Sequence, residues 1–257
     1  MIRLEGLTKR YGTFTAVQPL DLHVARGELF GFLGPNGAGK TTTIRMVAGI
    51  LRPSAGRITI GGRDLVEEPE AAKRLIGYIP DRPFLYEKLT GWEFLRFVSG
   101  LWGQEGEVSE QRAQELLELF ELDGWKDALI ESYSHGMRQK LLISSALVHG
   151  PEVIIVDEPM VGLDPRAARL IKDLLRTFVE QGGTVFMSTH TLEVAEALCT
   201  RIAILADGRI RAVGSMDELR REAEAGTAGL EEIFLKLTGG EDVQELIASL
   251  RAVSRGA

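Results

Sequence analysis

The sequence predicts an α/β protein with a largely parallel sheet, on two observations. Short aliphatic runs alternate with helix-compatible stretches, as in successive strand–helix–strand units. One junction, Gly34 to Thr41, reads G-P-N-G-A-G-K-T between the apolar run Leu29 to Leu33 and the helix-compatible stretch Thr42 to Leu51. A glycine-rich loop in that strand–loop–helix setting is a phosphate-binding loop.

The elements follow in order. Ile2 to Leu4 and Leu20 to Val24 read as β segments, and Arg57 to Ile60 as another before the Gly61-Gly62 turn. They predict a small, partly antiparallel sheet beside the loop. From Pro83 to Asp127 the apolar spacing turns helical, through Phe94, Leu95 and Val98 and then Leu116, Leu117 and Phe120. Thr90 with Glu93 forms a capping box, so a helix starts there. This stretch, about 83–137, is expected to be an inserted helical subdomain. Val153 to Val156 is a buried-strand run, Arg166 to Glu180 a helix closed by Gly182-Gly183, and Thr184 to Ser188 a strand. A helix around Leu192 to Leu198 and a strand at Ile202 to Leu205 follow; Asp207-Gly208 turns the chain into Arg209 to Val213. Ser215 with Glu218 caps one more helix. Residues 1–220 thus form the main domain, and 221–257 an appendage. The appendage opens with a Glu-, Ala- and Gly-rich linker to Gly229. Two short apolar stripes follow, Leu230, Ile233, Phe234, Leu237 and Val243, Leu246, Ile247, Leu250, each needing a surface in this chain or a partner to pack on.

Composition bounds the function. A chain of 257 residues, 44% hydrophobic and 26% charged, suits one large domain with a modest appendage. A net charge of −7 carries no general basic footprint, so nucleic acid is not the expected partner. Cys199, the only cysteine, excludes an intrachain disulfide and fits a reducing compartment; its apolar neighbours predict a packed thiol. No stretch is long and apolar enough to cross a bilayer, and the N-terminus lacks a signal-peptide core, so the expectation is a cytoplasmic chain.

The phosphate loop points to a nucleotide. Glycines at 34, 37 and 39 let backbone N–H groups converge on an anion, and the following helix aims its positive dipole end at the same point. Lys40 supplies a cation for the β and γ phosphates, and the Thr41 hydroxyl can ligate Mg²⁺. In V-I-I-V-D-E-P, an aliphatic strand delivers Asp157 toward the metal and leaves Glu158 free to orient a water for attack on the γ-phosphate. Ser134 stands where a helix starts, and Gly136 permits close approach of an anion.

These segments, in this order, resemble the ATP-binding subunits of ABC transporters over nearly the whole chain through Met216. The resemblance implies an α/β fold with a P-loop NTPase (RecA-like) core, a small antiparallel β subdomain and an inserted α-helical subdomain. It makes Gly34, Pro35, Asn36, Gly37, Ala38, Gly39, Lys40, Thr41 and Thr42 the ATP cradle, and Tyr11 the aromatic residue that stacks on adenine ahead of the first strands. Ser134-His135-Gly136-Met137-Arg138-Gln139 matches the family signature, Gly162-Leu163-Asp164 the dimer-contact loop, and His190 the switch histidine. It implies that two copies, as a homodimer or pseudo-symmetric heterodimer, close head to tail. The cradle of one and Ser134 and Gly136 of the other then sandwich each ATP, with Glu158 the catalytic base and His190 at the γ-phosphate.

The chain departs from the family in two places. Asp81, in the loop matching Gly77-Tyr78-Ile79-Pro80-Asp81, replaces the usual glutamine; it can accept from water or ligate Mg²⁺ but cannot donate. In the signature, His135 replaces a glycine and Met137 departs from the usual glutamine. These variants, with Phe84-Leu85-Tyr86 and the Leu230 to Phe234 tail, resemble the export branch, which handles drugs, lipids, polysaccharides or peptides. A membrane permease is then the expected partner, its short helix entering the cleft beside Phe84, Leu85, Tyr86 and Leu89, with the ATPase peripheral on the cytoplasmic face of the membrane. The alternative is a soluble ABC-type machine acting on nucleic acid or ribosomes. A small-molecule P-loop kinase would leave the signature unexplained.

Overall fold

The computed structural model describes residues 1–238 apart from 83, 161, 162, 225 and 227. β1 (Ile2–Tyr11) and β2 (Phe14–Val24) extend well beyond the short segments expected. Alternate side chains, Leu7 and Val17 among them, stay buried between the apolar runs, so the pairing continues through register shifts. Pro19 is tolerated because β2 is an edge strand and needs no N–H there.

Next come β3 (Leu29–Leu33), α1 (Lys40–Val47), β4 (Ala55–Ile60) and β5 (Arg63–Asp64). The order β2-β1-β4-β5 makes the expected antiparallel sheet. α2 (Pro69–Lys73) leads into β6 (Ile76–Ile79). Gly77 to Ile79, expected as loop, is thus a strand, too short for its alternation to register in the sequence.

α3 (Gly91–Leu101), α4 (Glu107–Leu119) and α5 (His135–Leu147) form the helical insertion. Its capping box is present: Glu93 N donates to Thr90 Oγ1 at 3.1 Å and Thr90 N to Glu93 Oε2 at 2.8 Å. β7 (Val153–Asp157), α6 (Pro165–Glu180), β8 (Thr184–Thr189), α7 (Leu192–Leu198), β9 (Arg201–Ala206), β10 (Arg209–Gly214), α8 (Met216–Glu222) and α9 (Leu230–Thr238) complete the described chain.

The main sheet runs β10-β9-β3-β8-β7-β6, parallel throughout except for β10. Both of its faces are covered. On β3 and β7, Phe30, Phe32, Val153 and Ile155 pack with α1 and the antiparallel sheet, while Leu29, Ile154 and Val156 face the helical insertion and α6. That is why these strands read as continuous apolar runs rather than alternating ones. Leu230 and Ile233 of α9 are buried against Leu33, Ile202, Ile204 and Leu219, so the first appended stripe docks within the chain. The second stripe, Val243 to Leu250, lies outside the described residues, as does Gly162. Cys199 is packed, as expected; burial alone pushes its thiol up to about 12.

His149, just past α5, pins that helix to β6. A ring nitrogen, Nε2, lies 3.0 Å from Ile76 O, and the ring stacks on Trp102 at 4.4 Å between centroids. Burial holds the imidazole below its usual pKa.

Candidate functional site

The phosphate loop leaves the carboxyl end of β3 and returns as α1. Gly39 caps α1 with φ 100°, left-handed backbone that glycine adopts without strain. A Cβ on Gly34 would stand 2.4 Å from Leu205 O, so close backbone approach demands glycine there. The turn after β9 buttresses the loop: Gly208 N donates to Ala38 O at 3.1 Å, and Gln18 N to Gly208 O at 2.9 Å. Sequence reading found that turn but gave it no role, because its partner lies far away in the chain. The first-turn N–H groups of α1 lack intrahelical partners and meet the positive end of its dipole. Lys40 is buried, its Nζ donating to Gly34 O at 2.6 Å and Pro35 O at 3.1 Å. Burial lowers its pKa, while the carboxylates of Glu158 and Asp157 pull it back up.

Those carboxylates come from the end of β7. Asp157 is buried, and Ser188 Oγ on β8 donates to its Oδ1, while Oδ2 has no hydrogen-bond partner. Burial raises its pKa; the hydroxyls of Ser188 and Thr41 act against this, and the nearby charges of Asp81 and Glu158 add to it. A buried carboxylate oxygen without a donor, beside a hydroxyl and a second carboxylate, is a hard oxygen set that suits Mg²⁺. Among the described residues no three His, Cys, Asp or Glu side chains converge as a metal cage. Mg²⁺ needs none, since it is commonly held by one or two carboxylates plus substrate phosphates.

Glu158 adopts φ 52°, a strained conformation for a residue with a side chain. Its N–H donates to Ser188 O at 3.1 Å, and its Oε1 lies 2.8 Å from His190 Nδ1. A base held against an imidazole at the mouth of a phosphate cradle can orient water for phosphoryl transfer.

The family profile described as ABC transporter matches residues 17–161. This chain belongs to the ABC transporter family. The ABC ATPase is 41% identical over 248 residues to the daunorubicin resistance ATP-binding protein DrrA3 of Streptomyces coeruleorubidus, covering 93% of this chain and 78% of that protein. It is 37% identical over 241 residues to the linearmycin resistance ATP-binding protein LnrL of Bacillus subtilis, covering 91% and 78%. A solved dimeric ATP-binding cassette, in a post-hydrolysis state bound to ADP and Pi, superposes with a TM-score of 0.76 at 27% identity, covering 84% of this chain and 99% of that one. The chain is accordingly an ATP-binding, ATP-hydrolysing subunit of the family, with a P-loop NTPase core.

Within this ABC ATPase, the structure gathers Lys40, Thr41, Asp81, Asp157 and Glu158 at one edge of the main sheet, with His190 bonded to Glu158. Ser188 joins them; the sequence signal for it was only its place one strand over, in Ser188-Thr189-His190. Tyr11 is half exposed at the end of β1, with Lys9 Nζ 5.2 Å from its ring centroid, so it lies within the first strand rather than ahead of it. Ser134 and Gly136 stand apart at the head of α5. Ser134 Oγ accepts from Met137 N at 3.3 Å, the helix cap that a serine in this position commonly makes. A Cβ on Gly136 would meet nothing within 4 Å, so no neighbour in this chain requires glycine there. Asp164 caps α6 by accepting from Arg166 N and Ala167 N.

Proposed function

We propose that this ABC ATPase closes as a dimer around two ATP molecules and drives a separate membrane permease in export, from the cytoplasmic face. The observation that carries the hydrolytic part is the Glu158–His190 contact at 2.8 Å beside the buried Asp157. Tyr11 stacks on adenine, residues 34–42 hold the phosphates, and Lys40 neutralises charge on the β and γ groups. Thr41, Asp157 and Asp81 would hold Mg²⁺, which would supply further charge neutralisation at those phosphates. Glu158 orients the attacking water and takes its proton, and His190 holds the carboxylate and faces the γ-phosphate. Ser134 and Gly136 approach the ATP bound by the other subunit. Support for a partner at that face comes from the open space around Gly136 and from the dimeric state of a solved relative. Support for export comes from the names of the daunorubicin and linearmycin resistance proteins.

The test is Glu158→Gln, which keeps the side-chain shape and removes the base. Hydrolysis is expected to fall about 100-fold or more, ATP binding to persist, and an ATP-dependent dimer to accumulate on size-exclusion chromatography. A monomer under saturating ATP with near-wild-type turnover would refute the dimer mechanism. Purifying the trapped form from detergent-solubilised membranes is expected to bring down an integral membrane protein; a ribosome or nucleic acid instead would refute the permease.

A further inference from the structure

Two stretches distant in the sequence run side by side on the helical insertion. Thr90 pairs with Leu129 in an isolated antiparallel bridge. Ile130 N donates to Leu89 O at 2.9 Å and Glu131 N to Glu87 O at 3.1 Å, and Lys88 Nζ meets Glu131 Oε2 at 2.5 Å. The first stretch follows Asp81 and carries the exposed aromatics Phe84 and Tyr86. The second runs directly into Ser134.

Arg138, one turn into α5, joins the two. Its Nε donates to Tyr133 O at 3.2 Å, Nη2 to Glu131 O at 3.0 Å, and Nη1 to Glu87 Oε1 at 2.8 Å. One planar guanidinium thus bonds both stretches at once, a geometry that the point charge of a lysine cannot reproduce. The arrangement ties the backbone just before Ser134 to the segment that presents Phe84 and Tyr86.

We propose that Arg138 and Glu87 are a positioning couple that transmits movement between the signature serine, Ser134, and the exposed aromatic segment 84–86, the surface offered to the permease. The inference rests on the dimer reading, because only a second subunit's ATP gives Ser134 something to respond to. The couple does little for stability, because partly exposed ion pairs are only weakly stabilising. Its effect lies in keeping two functional segments in one rigid unit, so that ATP at Ser134 is felt at Phe84.

The experiment follows hydrogen exchange of residues 84–90 in the Glu158→Gln chain, with and without Mg·ATP, alone and combined with Glu87→Gln or with the conservative Glu87→Asp. ATP kinetics are measured for the Glu87 variants in an otherwise unaltered chain. In the Glu158→Gln parent, ATP is expected to change exchange at 84–90. Glu87→Gln is expected to reduce that change about 5-fold, to lower kcat about 5-fold with KM for ATP within about twofold, and to leave the melting temperature within about 2 °C. Glu87→Asp, which keeps a carboxylate for Arg138 Nη1 and leaves the bonds to Tyr133 O and Glu131 O in place, is expected to retain at least half of the response. A parent that stays monomeric with ATP overturns the dimer reading and this proposal together. A dimerising parent whose 84–90 segment ignores ATP, or responds equally with Glu87→Gln, overturns this proposal alone. So does a large melting loss with Glu87→Gln, which would assign the couple a purely structural role.

Discussion

At the carboxyl edge of the main sheet, Lys40, Asp157 and Ser188 are buried and bonded, whereas Ser134 and His135 at the head of α5 are exposed, with open space beside Gly136. Burial at the first region perturbs both Lys40 and Asp157, each away from its charged form. Perturbed groups held in place by a scaffold mark a site preorganised within one chain. The second region has only the cap hydrogen bond that any helix start needs. Under the proposed dimer mechanism, the contrast assigns nucleotide binding and nucleotide turnover to different surfaces: one subunit would suffice to hold ATP, and the open face would complete the cage only on a partner.

Ser134→Ala tests the contrast most strongly. It is expected to lower kcat about 10- to 100-fold while ATP affinity of the monomer, read by equilibrium titration, stays within about twofold. An equal loss of monomer affinity would place Ser134 in its own subunit's cradle and break the distinction. Tyr11→Ala probes the same question from the binding side: a roughly 3- to 10-fold weaker dissociation constant, with dimerisation at saturating ATP retained. An unchanged constant removes Tyr11 from the cradle.

The smallest effect is expected at the other end of α5. Burial depresses the pKa of His149, and its buried Nδ1 has no hydrogen-bond partner. A depressed pKa means that its contribution to stability is complete above the unfolded value, about 6.5, and is lost as pH falls through the folded value. His149→Phe, which keeps the stack on Trp102 and gives up the bond to Ile76 O, is expected to flatten the fall in melting temperature below about pH 6.5 by a few degrees. An unaltered acid limb would show that α5 is not pinned there, and the difference between its two ends would shrink.

Much of the fold is legible in the chain because it rests on local patterns. The aliphatic runs of β3 and β7, the capping boxes at Thr90 and Ser215, and the glycine-lysine-threonine loop each announce themselves within a few residues. β6 escapes because four residues with a glycine carry no period, and β1 and β2 look shorter than they are because polar residues interrupt their buried face. Among the site residues, Asp157, Glu158 and Lys40 could be named from spacing. Ser188 and the Gly208 turn could not, since their importance comes from partners on other strands.

By itself, then, the sequence determined the chemistry available: which loop takes phosphate, which strand ends in carboxylates, and that the family is one of ATPases. Only the tertiary structure decided which groups share an environment. Parallel strands bring distant residues to a common edge, where low dielectric and a few short hydrogen bonds couple Asp157, Ser188 and Lys40. The same packing leaves Ser134 outside that edge and ties it, through Arg138, to Glu87. Local pattern specifies elements, but electrostatic coupling depends on distance and burial, and these exist only once the chain has folded.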